Sequence, residues 1–111
     1  MDINVVLEGT EEFAKLDPHM QLITMLTFIH IAQRGISNQQ DIELLLGTNS
    51  ASASRNVAYW TDVKHGGDAG FNFIQREEDP RDRRSKLLRL TKEGKAFYNK
   101  LQSKKGSASN G

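Results

Sequence analysis

Arg76 to Gly94 reads REEDPRDRRSKLLRLTKEG, and this stretch decides the fold. It opens on an arginine and three acids, Glu77, Glu78 and Asp79, turns at Pro80, and then carries Arg81, Asp82, Arg83 and Arg84. An apolar return follows in Leu87, Leu88 and Leu90. Upstream, Phe71 to Arg76 is also alternating or apolar. The pattern predicts two antiparallel strands, Phe71 to Arg76 and Lys86 to Leu90, joined by a charged connection over Glu77 to Ser85. Thr91 then caps a final helix, Lys92 to Lys104, with Ala96, Phe97 and Leu101 on its apolar side. A strand pair of this kind beside helices is a wing.

Helices precede the wing. Ser37-Asn38-Gln39-Gln40 reads as a capping box with Ser37 as N-cap, opening a short helix through Ile42, Leu45 and Leu46 that ends at Gly47. Thr48 and Asn49 offer a tight turn and a new N-cap, so the next helix follows at helix-turn-helix spacing. That helix, Ser50 to Val63, places Ala53, Val57 and Trp60 on one face at i, i+4 and i+7, which is the core face. The opposite face carries Ser52, Arg55 and Tyr59, flanked by Asn56. Arginine can bond guanine bidentately, asparagine can bond adenine, and Ser or Tyr can reach phosphates, so this face suits a major groove. An ordinary polar surface helix would show the same periodicity. Lys64 to Gly70 reads as a flexible loop without the lysine-serine or lysine-threonine pair of a phosphate-binding loop.

Further upstream, Asp17-Pro18 reads as N-cap and first helical residue of a helix running to Arg34 and stopped by Gly35. Its apolar residues, among them Met20, Leu22, Met25, Leu26 and Ile29, surround most of the circumference and demand burial on two sides. One side is the chain's own core; the other is covered by a second subunit or by the N-terminal segment. Residues 1–17 form an arm or short helix and a place for a dimer contact: Met1 to Gly9 is either a short strand or an arm, and Glu11 to Leu16 a helical turn. Residues 18–104 are expected to form a winged helix-turn-helix DNA-binding domain, and 105–111, small and polar, a disordered tail.

Charge is segregated. Residues 1–48 hold two basic side chains, Lys15 and Arg34, against seven acids, whereas residues 81–105 hold ten basic side chains against two acids, Asp82 and Glu93. A net charge of +1 therefore conceals a cationic end; a solvated helix face accounts for Lys92 to Lys105 but less well for Arg81, Arg83 and Arg84, which suit a nucleic-acid partner. The absence of cysteine excludes disulfides, thiolate metal sites and thiol redox chemistry, and points to the cytoplasm. No apolar run approaches the roughly 20 residues of a membrane span, and Met1 to Thr10 carries acids where a secretion signal starts basic. His19, His30 and His65 are too scattered for a metal site, and no serine sits in a nucleophile elbow. No catalytic residue, metal or cofactor is assigned, and the chain is not expected to be an enzyme.

The wing stretch resembles the signature of the MarR family, the multiple antibiotic resistance regulators: an arginine, a short acidic tip, Asp82-Arg83-Arg84, a hydrophobic return strand, then Leu90-Thr91-Lys92-Glu93-Gly94. Ser54-Arg55 followed by Val57 and Trp60 is similar to the family's recognition-helix pattern. The resemblance spans Leu22 to Leu101 and implies a mainly α fold with a small β-hairpin, a MarR-like winged helix-turn-helix. It implies that Arg84 enters a minor groove, that Asp82 pairs with Arg84 and fixes its direction, and that Arg81 and Arg83 contact phosphates, with Lys86 beside them. A narrow minor groove concentrates negative potential and attracts inserted arginine, which gives that assignment a mechanism. On the recognition helix the DNA-facing set is Ser50, Ser52, Ser54, Arg55, Asn56 and Tyr59. Two departures stand out. Thr61 to Phe71 inserts about eight residues before the wing relative to the family, which leaves the wing's position open, and one C-terminal helix stands where the family has two.

The expected function is a sequence-specific double-stranded DNA-binding transcriptional regulator. It is expected to act as a homodimeric repressor on an inverted repeat, in the cytoplasm and at the nucleoid, with no membrane partner. The alternative is a winged-helix protein-interaction module or adaptor acting on the transcription machinery, virus- or plasmid-encoded; an architectural DNA binder without sequence preference is a third reading. No residue set predicts an effector ligand.

Overall fold

The computed structural model describes residues 2–64 and 66–105. Met1, His65 and the tail beyond Lys105 lie outside the described residues. The chain order is α1 (Ile3–Leu16), α2 (Leu22–Arg34), β1 (Ser37–Asn38), α3 (Gln39–Leu46), α4 (Ser50–Trp60), β2 (Ile74–Asp79), β3 (Asp82–Leu90) and α5 (Lys92–Gln102). No helix among the described residues is long and apolar enough to cross a membrane.

The N-terminal segment is neither strand nor arm. It is one helix, capped by the Asp2 side chain, which accepts from the Asn4 N–H at 2.8 Å. The β-branched run Ile3, Val5, Val6 is overruled by tertiary anchoring: Phe13 is buried in the core, and Glu12 pairs with Lys100 of α5 and with Lys104 just beyond it. Asp17 ends this helix and does not start the next. Its N–H donates to the Phe13 carbonyl, Pro18 and His19 form a turn, and α2 begins four residues beyond Pro18 with Gln21 as an N-cap that makes no side-chain bond. Gly35, at φ 79°, closes α2 as expected. The inner side of α2 buries Thr24, Thr27, Phe28 and Ile31, while Leu22 and Leu26 remain exposed on the outer side.

The capping box of α3 sits one residue later than its sequence suggests. Asn38 is the N-cap, accepting from the Asp41 N–H at 2.9 Å, and Asp41 accepts in return from the Asn38 N–H at 3.0 Å. Ser37 is instead recruited into β1, opposite Leu88 of β3. The sheet is therefore three-stranded and antiparallel, in the order β1-β3-β2, and not a bare hairpin. Gly47 ends α3 in the left-handed region, and the Asn49 side chain caps α4 by accepting from the Ser52 N–H at 2.8 Å. α4 stops at Trp60 and not at Val63, because the chain turns back at Thr61.

Every Phe, Tyr and Trp of the chain joins one network of ring contacts centred on Phe28 and Trp60. Edge-to-face and stacked pairs of this kind add to the area they bury. Ala53, Val57 and Trp60 are fully buried, as their spacing predicts, together with Ile31, Ile42 and Ile74. Thr91 caps α5 by accepting from the Gly94 N–H at 3.0 Å. Phe97 and Leu101 turn to the core, but Ala96 is exposed.

Candidate nucleic-acid interface

Two features place the charged end of the chain. The first is the wing. β2 and β3 pair regularly from Ile74↔Leu90 to Glu78↔Lys86, and the next pair is Asp79↔Asp82. Arg83, Arg84 and Ser85 thus lie on β3 with no counterpart on β2, a bulge that lifts them out of the ladder. Bulges re-aim side chains in this way. The strands consequently reach further than their apolar pattern, and Glu77 to Asp79 belongs to β2, leaving Pro80-Arg81 as the turn. Phe71 to Phe73, expected in the first strand, lie ahead of it.

Within the bulge the Asp82 carboxylate accepts from the Arg84 N–H at 3.1 Å and lies 3.7 Å from its guanidinium, while the Arg84 side chain is 95% exposed. Asp79 does the same for Arg81, at 2.9 Å to the N–H and 3.7 Å to the guanidinium. Each arginine is thus held at its root by a carboxylate and projects its charge into solvent. Arg83 and Lys86 are exposed beside them.

The second feature is the cleft between the wing and the helices. Its volume is about 730 Å³, and Gln39, Gln40, Ser50, Arg76, Arg84 and Lys86 are among the residues that line it. Gln39 crosses from α3 to α4, donating to the Ser50 carbonyl at 3.4 Å and to its hydroxyl at 3.3 Å. Arg76 crosses from β2, donating to the Ser54 carbonyl at 3.1 Å. The start of α4 and the root of the wing are therefore tied together. Gln39 and Arg76 escape the sequence reading; the only signal was position, one at the start of α3 and the other at the head of the wing stretch.

α4 divides the remaining predicted residues. Ser50 and Arg55 are exposed, and Ser52 and Ser54 half-buried. Ser52, Arg55, Asn56 and Tyr59 line a separate groove of about 290 Å³ against the turn between α1 and α2. Asn56 is turned inward and is a correction to the expected DNA-facing set. It is buried, its Oδ1 accepts from the Thr24 hydroxyl at 2.6 Å, and its Nδ2 donates to the Ser52 carbonyl at 2.9 Å. Both ends of its amide are thus engaged within the fold. Tyr59 is likewise engaged: its hydroxyl donates to Asp17 Oδ2 at 2.6 Å, and Lys64 Nζ sits 4.4 Å above its ring. The Tyr59 hydroxyl, and then the His19 N–H, hold the Asp17 carboxyl below the usual carboxylate range. Burial first, and then the Asp17 carboxylate, push the Tyr59 hydroxyl up.

The segment from Thr61 to Phe73 closes back on the end of α4. Val63 bridges Ala69, the Gly70 N–H donates to the Asp62 carbonyl at 2.9 Å, and the Phe73 N–H donates to the Trp60 carbonyl at 2.8 Å. The chain thus returns beside the residue at which it left α4. Gly70 permits the closure, since a Cβ there would lie 2.0 Å from the Thr61 carbonyl oxygen.

These elements and their order match solved winged-helix proteins closely. A structure of RV1404 from Mycobacterium tuberculosis superposes with a TM-score of 0.69 at 22% identity, over 88% of this chain and 62% of that one. The transcriptional regulator Tm0710 from Thermotoga maritima gives 0.70 at 20% identity, over 90% of this chain and 63% of that one. A mutant MarR from E. coli, complexed with operator DNA, gives 0.65 at 15% identity, over 90% and 67%. The fold is that of MarR. The MarR-like chain spans about two thirds of the length of these structures. No protein-family model matches the sequence, and no curated protein matches it. The MarR-like wing and helix-turn-helix are thus established from geometry.

Proposed function

We propose that this chain is a sequence-specific, double-stranded DNA-binding transcriptional regulator, with no catalytic role, acting as a homodimeric repressor on an inverted-repeat operator. The observation that carries the reading is the wing bulge. It aims Arg84, braced by Asp82, from the same cleft that Ser50 of α4 lines. An arginine fixed at its root and bare at its tip fits a narrow minor groove, while Ser50, Ser52, Ser54 and Arg55 fit the adjacent major groove. Arg81, Arg83 and Lys86 supply phosphate contacts. Two further facts support the reading: a MarR of the same fold has been solved with operator DNA, and the family resemblance of the wing falls on these arginines. The homodimer is supported by Ile3, Val6 and Leu7, which are exposed on successive turns of α1, and by exposed Leu22 and Leu26 on α2. The expected location is the cytoplasm, at the nucleoid.

The test is selection of duplexes from a random-sequence pool, followed by a salt series on the enriched duplex. Specific binding that weakens steeply with salt is expected. Arg84→Ala should weaken it by about tenfold or more, and Arg83→Ala should lower the salt slope by about one. Enrichment of no sequence, with weak binding indifferent to Arg84→Ala, refutes the regulator reading and favours a protein-interaction module.

A further inference from the structure

The residues of α4 that face the turn between α1 and α2 form a polar seam in an otherwise aromatic interior. Three side chains one turn apart or less, Asn56, Tyr59 and Trp60, each bond to the segment from Asp17 to Thr24. Asn56 accepts from the Thr24 hydroxyl at 2.6 Å, Tyr59 donates to Asp17 at 2.6 Å, and the Trp60 indole donates to the Thr24 carbonyl at 2.8 Å. Both ends of the Tyr59 bond are fixed in advance. Asp17 caps α1 through its own N–H, and its second carboxylate oxygen accepts from the His19 N–H at 3.0 Å. The Tyr59 ring is held between Trp60, Phe71 and the Lys64 ammonium, so its hydroxyl has one direction to take.

Resting on the DNA-binding reading above, we propose that Asp17 and Tyr59 are positioning residues that set the rotation of the recognition helix α4, and that Tyr59 is not itself a DNA contact. Asn56 and Tyr59 pin the helix at two points about 4.5 Å apart along its axis. Arg55 immediately precedes Asn56 on the helix, and its side chain is exposed. A rotation of about 15° about the axis moves a side chain about 6 Å from that axis by about 1.5 Å. That displacement is enough to break a bidentate contact to a base edge, while flexible phosphate contacts from the wing survive it.

The charge of Asp17 makes the inference testable. A carboxylate beside a DNA-facing helix repels phosphates, so if its only effect were electrostatic, Asp17→Asn would tighten binding. Positioning demands the opposite. The experiment measures affinities of wild type, Asp17→Asn, Tyr59→Phe and the double variant for the duplex enriched by the wild type and for a random duplex. All variants are checked by circular dichroism to be folded at the assay temperature. Each single variant is expected to lose about fivefold or more on the enriched duplex and little on the random one, with the double no weaker than the weaker single. Equal losses on both duplexes would mean destabilisation only and overturn the inference. So would tighter or unchanged binding by Asp17→Asn, or single effects that multiply in the double. If the wild type enriches no duplex, the DNA-binding reading itself falls, and the positioning role falls with it; if the wild type binds and the variants are indistinguishable from it, only the positioning role falls.

Discussion

Replacing Gly94 with alanine should destabilise the protein, although the same change at an exposed helix position stabilises. Gly94 lies in the first turn of α5, where alanine gains about 1 kcal/mol of helix propensity over glycine. Here a Cβ would stand 2.0 Å from the Phe73 carbonyl oxygen and 2.9 Å from its carbon, whereas ordinary contact begins near 3.4 Å. The obstructing group is backbone and cannot swing away. The Phe73 carbonyl also accepts from the Thr91 N–H at 2.9 Å, so relieving the clash pulls apart the junction that starts α5. Phe73 itself is stacked on Phe97 at 5.2 Å and on Trp60 at 5.9 Å, so the shift propagates into the ring network. Overpacking of this kind costs about 1–3 kcal/mol, and the weakened hydrogen bond costs about 1 more. Set against the propensity gain, the net loss is about 2 kcal/mol, or a fall in Tm of about 10 °C for a domain of this size. Thermal unfolding followed by circular dichroism, with urea titration at 25 °C alongside, measures it. A Tm equal to or above that of the wild type refutes the close approach of α5 to Phe73.

Two further substitutions probe the ends of helices. Glu12, buried on α1, accepts from Lys104 at 2.8 Å and from Lys15 at 3.0 Å, and these lysines, Lys104 first, bring its pKa from 4.5 down to about 2. A depressed carboxylate contributes stability above its unfolded pKa and loses it as pH falls, so Glu12→Gln should be less stable than wild type at pH 7. The difference in Tm should shrink between pH 4.5 and about 2, as acid titrations of both proteins will show. Asn49→Ala removes the side-chain acceptor at the start of α4 and should cost about 1 kcal/mol, read as a lower urea midpoint at unchanged slope.

Where a structural decision is local, the sequence carries it. Gly47 and Asn49 stop one helix and start the next within three residues, and the i, i+4, i+7 spacing of Ala53, Val57 and Trp60 finds the core face without ambiguity. Asp82 and Arg84 interact within one strand, so their pairing is equally local. Decisions made by distant partners are not legible. Two residues of β1 have no periodicity to display; Ser37 pairs because β3 presents an edge beside it, and the capping role passes to Asn38. Asp17-Pro18 has the composition of a helix start, but the Asp17 carboxylate is occupied by Tyr59, 42 positions away. Asn56 lies next to the core face, and its amide oxygen is engaged by Thr24, 32 positions away, a partner its own helix does not announce.

The same distinction separates the wing from α4. The wing arginines are oriented by acids two residues away, Asp79 for Arg81 and Asp82 for Arg84, so the wing carries its own geometry wherever the sheet is placed. α4 has no such independence. The side of α4 that bears Asn56 and Tyr59 is bonded to the α1–α2 turn, and its start is bonded to α3 and β2 through Gln39 and Arg76. Its outward residues are therefore set by the body of the fold, and α1 belongs to that body because Phe13 packs against Trp60 and Glu12 against Lys104. Any partner that seats on the exposed Ile3, Val6 and Leu7 of α1 acts on an element rigidly continuous with α4. The wing is tied to α4 at its root, through Arg76 and Ser54, while its tip arginines are oriented by its own acids. On the proposed DNA-binding reading, substitutions on α1 should therefore act more on sequence preference than on the wing's backbone contacts, read as the ratio of affinities for an enriched and a random duplex.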